Sequence, residues 1–481
     1  MLFNSFQFMI FFIITWTLVL VLRGVSRKLF LLVASYYFYM CWNVRYILVI
    51  LGITAIGYVT GLLIARKEDP RLSKFYLFIG LFGSIGLLVV FKYFNLLSLL
   101  LARLVHSIGF GYSAPLLNIL LPVGLSFHTF QAMSYIIDVW KRKAPAERNL
   151  LNYALFVAFF PQVIAGPIER PNQLLPQFHR DPEFRVERIR SGLKQTLWGL
   201  FKKMVIADWL AGYVNLVYSA PRNFTGAELM VATLAFSLQI YGDFSGYSDI
   251  AIGVARVMGY ELRANFAQPY FSRSIGEFWH RWHMSLSTWF RDYVYIPLGG
   301  NRVAVPRYYF NLLATFAFSG LWHGANWTFL AWGGLHGVFM VVSRITARPR
   351  ARASRFLLLD RHPFLLAALQ RFSTLTLVTF AWIFFRALDL RSAVYIATHL
   401  FPLTHFGWYT LNAGNIPHVM LPFLLFFIVA MFVVEWWIMH PHGAPRIWQY
   451  SPVRWCFYYG CAYSIVFFGV FGHIDYIYFQ F

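Results

Sequence analysis

Two histidines stand out in this 481-residue sequence as candidates for chemistry. His323 lies in Gly320-Leu-Trp-His-Gly-Ala-Asn-Trp327, within the 36 uncharged residues between Arg307 and Arg344. A helix starting at Arg307 carries it about 24 Å along the axis. A titratable imidazole so far from the helix start needs a cavity or a partner. Its two flanking glycines permit close backbone approach, and Asn326 and Trp327 point to a polar, aromatic-walled pocket. A general base acting on a hydroxyl needs that setting. A neutral histidine bonded to a backbone carbonyl is the plainer alternative. His283 falls on the aromatic face of an amphipathic stretch, either as a second site histidine or as a satisfied core residue. His336, between Leu335 and Gly337, reads as packing, and the His280/His283 pair lacks a third ligand, so no metal site is expected.

Asp243 and Asp249, in Tyr241-Gly-Asp-Phe-Ser-Gly-Tyr-Ser-Asp249, are acids inside an apolar run. Buried carboxylates pair or bind protons, and bracing by the neighbouring Ser and Tyr hydroxyls is the structural alternative. Arg281 and Arg291 flank His283 and could attract an anionic substrate. The sequence has no nucleophile elbow, phosphate-binding glycine loop or dinucleotide fingerprint.

These residues must be positioned by apolar helices. Hydrophobic residues make up 59% of the chain and charged ones 12%, against roughly a quarter charged in soluble domains. The expected fold is therefore an all-α polytopic membrane protein. Apolar runs occur near 5–22, 29–41, 46–65, 75–91, 93–109, 116–137, 151–168, 192–217, 228–257, 309–322, 326–342, 363–386, 419–438 and 455–474. Some are short or broken, giving an expectation of about 11 to 13 crossings with the rest re-entrant or interfacial. Pro161-Gln-Val-Ile-Ala-Gly-Pro167 reads as a broken helix. Glu277 to Tyr293 reads as one amphipathic helix, with Phe278, Trp279, Trp282, Leu286, Trp289 and Tyr293 on its apolar face. It is too polar to span.

The net charge of +22 has a topological reading. Basic residues concentrate at 169–194, 261–308 and 343–362, which belong on the cytoplasmic face. Arg23, Arg27 and Lys28 put the first loop inside, as does the loop at 66–71 with Lys67 and Glu68, so Met1 starts outside. With this composition nucleic-acid binding is excluded, and a polyanionic donor arriving at the basic face is a second use of the charge. Met1 to Leu22 reads as a retained span rather than a signal peptide. Cys41, Cys456 and Cys461 give no disulfide framework and are expected in the core.

Together these segments resemble the membrane-bound O-acyltransferase family, in its bacterial alginate O-acetyltransferase branch. The motifs are Asp243-Phe-Ser-Gly-Tyr-Ser-Asp-Ile-Ala-Ile-Gly253, Glu277-Phe-Trp-His-Arg-Trp-His283-Met-Ser-Leu-Ser-Thr-Trp289, Arg291-Asp-Tyr-Val-Tyr-Ile-Pro-Leu-Gly-Gly-Asn301 and Gly320 to Trp327. Phe160 to Pro167 and the terminal Tyr476 to Phe481 add to them. The resemblance runs over residues 1–481, taken as one membrane domain: N-terminal helices at 1–110, a catalytic core at 111–345 and C-terminal helices at 346–481.

The resemblance implies a ring of helices around a central funnel or tunnel, with His323 as catalytic histidine and His283 as second site residue. It implies acyl, most simply acetyl, transfer from a cytoplasmic thioester such as acetyl-CoA, without a resident cofactor, toward an extracytoplasmic polysaccharide. It also implies a location in the bacterial inner membrane and a periplasmic acetyltransferase partner. Arg281, Asn326, Trp327, Asp243, Asp249 and Arg291 are the expected donor- or substrate-binding residues. His280 departs from the pattern, which has Arg there. D-alanyl transfer to a cell-wall polymer, and a transporter or polysaccharide-export role using the buried acids and histidines as a proton relay, are the alternatives.

Overall fold

The structure is a computed structural model that describes residues 1–66, 69–117, 122–401, 420–440, 446–471 and 476–477. Lys67, Glu68 and most of the terminal Tyr476 to Phe481 motif lie outside the described residues. The described residues form helices and turns with no strand. They fall into two compact units, Met1–Thr196 with Ile250–Arg263, and Leu197–Asp249 with Ala264–Phe481.

The first unit contains α1 (Phe6–Val21), α2 (Gly24–Met40), α3 (Ile47–Arg66), α4 (Pro70–Lys92), α5 (Phe94–Ser107), α6 (Leu125–Trp140), α7 (Leu150–Ala158) and α8 (Pro171–Phe178). Local chemistry sets their starts: Asp69 Oδ1 accepts the Arg71 N–H ahead of Pro70, and Asn149 Oδ1 accepts the Leu151 N–H at 2.9 Å. α3, α4 and α6 pack together, as do α2 and α7. After α7 the chain passes through buried turns at 160–166, the break expected at Pro161 to Pro167. Gln131 and Gln162 both donate to the Phe156 carbonyl, at 2.6 and 2.7 Å, satisfying an acceptor at the end of that helix.

The second unit begins within α9 (Val186–Phe201) and continues through a π turn (Lys202–Ala207) into α10 (Asp208–Ser219). α11 (Gly226–Val257) carries both candidate acids. Then follow α12 (Ile275–Arg281), α13 (Met284–Phe290), a second π turn (Arg291–Tyr295), α14 (Val305–His323), α15 (Trp327–Ile345), α16 (Ala347–Phe356), α17 (Pro363–Arg386), α18 (Leu390–Thr398), α19 (Met420–Met439) and α20 (Ser451–Phe468). α14 and α15 form an extensively packed hairpin, and α17 lies against α15.

Among the described residues, length and apolarity single out five helices able to cross a membrane: Val44–Arg66, Pro70–Lys92, Trp327–Ile345, Pro363–Arg386 and Met420–Met439. The 11 to 13 crossings expected also take in shorter and more polar runs, and several of these are shaped locally. The run at 151–168 supplies nine helical residues before its turns. In the run at 116–137, α6 begins at Leu125, just after Gly124, whose φ of 77° is left-handed. α11 is 32 residues long but carries Glu228, Asp243, Asp249 and Arg256. The fold is that of an all-α, multi-pass membrane protein.

Two expectations need correction. The amphipathic stretch from Glu277 to Tyr293 is two helices, α12 and α13, hinged at His283 and followed by the π turn. Cys41 and Cys456 are exposed and only Cys461 is buried. In a chain with lipid-facing helices, apolar neighbours mark an outer surface as readily as a core.

Candidate active site

His323 is the last residue of α14, and a three-residue turn leads from it into α15. The turn is pinned at Asn326, whose Oδ1 accepts the Thr328 N–H at 3.2 Å and whose Nδ2 donates to the Leu388 carbonyl at 2.9 Å. The hairpin closes on two glycines. A Cβ on Gly320 would sit 2.3 Å from the Phe329 carbonyl oxygen, and one on Gly333 would sit 2.3 Å from that of Phe316. No side chain fits at either place.

The His323 side chain is buried, with 6% exposure, in a box of aromatic edges. Ring centroids lie 4.8 Å away at Trp322, 4.9 Å at Trp332 and 5.2 Å at Phe385, all near perpendicular. The aromatic wall expected of Trp327 is therefore built by other residues, and Trp327 itself is 59% exposed. Asn326 serves as the α15 cap.

His283 occupies the hinge between α12 and α13 with φ 41° and ψ 55°, the left-handed region. A non-glycine residue there stores backbone strain and is held by its surroundings. The holding residue is Asn265. Its carbonyl accepts the Met284 N–H at 2.9 Å, and its Oδ1 accepts the Ser285 hydroxyl at 2.9 Å and the Ser285 N–H at 3.3 Å. Nearby, the Ala267 N–H donates to the Arg281 carbonyl at 3.0 Å. Upstream, Ser274 accepts the Glu277 N–H and Glu277 accepts the Arg273 N–H, so α12 starts two residues earlier than its apolar pattern.

The His283 ring is almost fully buried. Its Nδ1 lies 3.1 Å from Asn265 Oδ1, and its edge meets Phe244 at 4.7 Å and Trp322 at 6.2 Å between centroids. Burial pushes its pKa down to about 3, so the imidazole is neutral at physiological pH. Trp322 is thus a neighbour of both His283 and His323. His336 is a packing residue, as expected: Trp279 Nε1–H donates to its Nδ1 at 3.2 Å.

The other candidates separate. Arg281 is tied to Glu277 at 2.8 Å and reaches Met439 Sδ at 2.9 Å. The Arg291 side chain is 55% exposed and pairs with Asp292. His280 is exposed and bonds to the Gly276 carbonyl. The acids are held by lysines rather than braced by hydroxyls alone. Lys203 lies 2.5 Å from Asp243 and 2.7 Å from Asp208, and Lys202 lies 2.6 Å from Asp249 while donating to Ser245 Oγ. Asp243 also accepts the Ile477 N–H at 2.6 Å, and Glu435 accepts the Tyr241 hydroxyl at 2.7 Å. These residues form a paired polar network in the core of the second unit. Sequence reasoning missed Lys202, Lys203, Asn265 and Glu435. The adjacent lysines, followed by Met-Val-Ile-Ala-Asp208 in an apolar run, were the available signal for the first two.

Comparison with known proteins identifies the family. The model of the membrane-bound O-acyltransferase family matches residues 141–385, a span that contains both site histidines, Asn265 and both lysines. A Pseudomonas aeruginosa protein named as a probable alginate O-acetylase, AlgI, is 39% identical over 421 residues, covering 86% of this chain and 78% of that protein. A Helicobacter pylori peptidoglycan O-acetyltransferase is 36% identical over 393 residues, covering 76% and 72%. A Streptococcus thermophilus teichoic acid D-alanyltransferase is 31% identical over 245 residues, covering 47% and 57%. With the family model matching half of the chain and a relative 39% identical over 86% of it, this chain belongs to the membrane-bound O-acyltransferase family and is an O-acyltransferase of the membrane.

Proposed function

We propose that the enzyme takes an acetyl group from a thioester at the cytoplasmic face, acetyl-CoA being the simplest donor, and delivers it toward a hydroxyl of an extracytoplasmic polysaccharide. The observation that carries this reading is the shared contact of His283 and His323 with Trp322, which gathers two buried imidazoles in one unit. The extensive similarity to an alginate O-acetylase and a peptidoglycan O-acetyltransferase supports acetyl and a glycan acceptor.

In the proposed reaction His323 is the general base. It accepts the acceptor's hydroxyl proton as that oxygen attacks the thioester carbonyl. The tetrahedral adduct expels the sulfur, and the imidazolium returns the proton to the leaving thiolate. An ester and a free thiol result, with His323 neutral again. The aromatic box keeps water from the base. His283, neutral and buried, positions or polarises the reacting groups. Arg281 and Arg291 would receive a polyanionic donor.

The basic loops support a site in the inner membrane with a periplasmic N-terminus. The resemblance to the alginate O-acetyltransferase branch adds a periplasmic acetyltransferase as the partner that passes the acetyl group on to the glycan. D-alanyl transfer is less well supported, since that relative covers 47% of the chain against 86% for the alginate one. The proton-relay reading rested on buried acids that are occupied by lysines. The test is His323→Ala in cells, with mass spectrometry of the surface glycan. O-acetyl content is expected to fall on the order of 10²-fold or more; content within twofold of wild type overturns the role.

A further inference from the structure

We propose that Asn265 is a positioning residue of the acyl-transfer site: its side-chain oxygen accepts the Nδ1–H of His283 and fixes the ring in the tautomer whose Nε2 carries the lone pair. The inference rests on the reading of His283 as a site residue. Its geometry follows from one donor whose identity is not in question. The Ser285 backbone N–H can only donate, and it points at the same amide atom, 3.3 Å away, that faces His283 Nδ1 at 3.1 Å. That atom is therefore oxygen. The other end of the amide, Nδ2, donates to Ser248 Oγ at 3.2 Å on α11, which agrees with this orientation. An amide oxygen accepts and cannot donate, and the Ser285 hydroxyl, 3.5 Å from Nδ1, gives its proton to that same oxygen at 2.9 Å, so His283 Nδ1 holds the proton.

The same residue holds the chain at the hinge. The Asn265 carbonyl accepts the Met284 N–H at 2.9 Å, and its Oδ1 also takes the Ser285 hydroxyl. Asn265 therefore sets both the backbone turn that aims the ring and the nitrogen that the ring offers. A lone pair at Nε2 can accept a hydrogen bond or a proton, and the opposite tautomer cannot do so at that atom. Hydrogen-bond partners that orient metal-ligating histidines are worth about 10- to 100-fold, and the same scale is expected for Asn265.

The experiment measures acetyl-thioester turnover by the purified full-length protein carrying Asn265→Leu, Asn265→Asp, His283→Ala, and Asn265→Leu with His283→Ala. Asn265→Leu is expected to lower kcat about 10- to 100-fold with donor KM within about twofold. Asn265→Asp keeps an acceptor oxygen and should recover most of that loss. Because Asn265 acts through His283, its substitution should cost little more once His283→Ala is present. Wild-type turnover in Asn265→Leu, or losses that simply multiply in the double variant, would overturn the positioning role. Should Asn265→Leu fail to fold, Asn265→Asp decides alone: turnover as low as that of His283→Ala counts against the role. Wild-type turnover in His283→Ala would instead remove the underlying reading of that histidine.

Discussion

Gly333 and Gly334 are adjacent on α15, and the structure assigns them opposite responses to the same added methyl group. A Cβ on Gly333 would lie 2.3 Å from the Phe316 oxygen and 3.1 Å from Gly320 Cα, where ordinary contact begins at 3.4 Å. Both obstacles are helix backbone, so α14 and α15 must separate by about 1 Å in an interior that is close-packed. Overpacking of this kind costs about 1–3 kcal/mol. The displaced elements carry His323 and its neighbour Trp332, and a shift of about 1 Å in a reacting group costs on the order of 10²-fold in rate. A Cβ on Gly334 meets nothing within 4 Å, and Ala there favours the helix by about 1 kcal/mol. The assay compares the thermal midpoint of each purified variant with its acetyl-thioester turnover. Gly333→Ala should lose stability and most of its activity, and Gly334→Ala should keep both. Two variants indistinguishable on both measurements would refute the close approach and the placement of His323 derived from it.

Three further outcomes are expected. Lys203→Met should destabilise the protein by about 3–5 kcal/mol, because it strands the buried carboxylates of Asp208 and Asp243; a denaturation midpoint measures the loss. His283→Gly should be more stable than His283→Ala by about 1 kcal/mol, since the left-handed backbone penalises Ala and not Gly; both should lack activity, and paired thermal melts read the difference. Burial raises Glu169 from 4.5 to about 7, with the Arg263 N–H and the Arg263 and Arg170 charges opposing the rise. The folded state therefore binds that proton more tightly than the unfolded chain. This contribution to stability is complete below pH 4.5 and is lost as pH rises through about 7. Glu169→Gln should flatten that slope in melts taken at intervals across the same range.

Much of the fold was legible because helix formation in an apolar chain depends on local pattern, and every apolar run of the sequence corresponds to helix over some of its described length. What resisted reading depends on contacts distant in sequence. The six-residue apolar stripe from Phe278 to Tyr293 fits one helix, and five of its residues, Phe278, Trp279, Trp282, Leu286 and Trp289, are indeed buried. Yet the helix stops at His283, because Asn265, eighteen residues upstream, captures the Met284 and Ser285 N–H groups. Periodicity records which side chains are buried and is silent on a partner that bends the backbone. The same limit explains the acids. Asp243 and Asp249 were recognisable as costly, but the lysines that neutralise them sit 40 and 47 residues earlier along the chain. The +22 charge is accordingly of two kinds. Lys202 and Lys203 are spent in the core, 3% and 1% exposed at their side chains, while Arg291 at 55% remains accessible. A charge that is to attract a donor from solution must be of the second kind, so the electrostatic case for donor capture rests on the exposed arginines and draws nothing from the buried lysines.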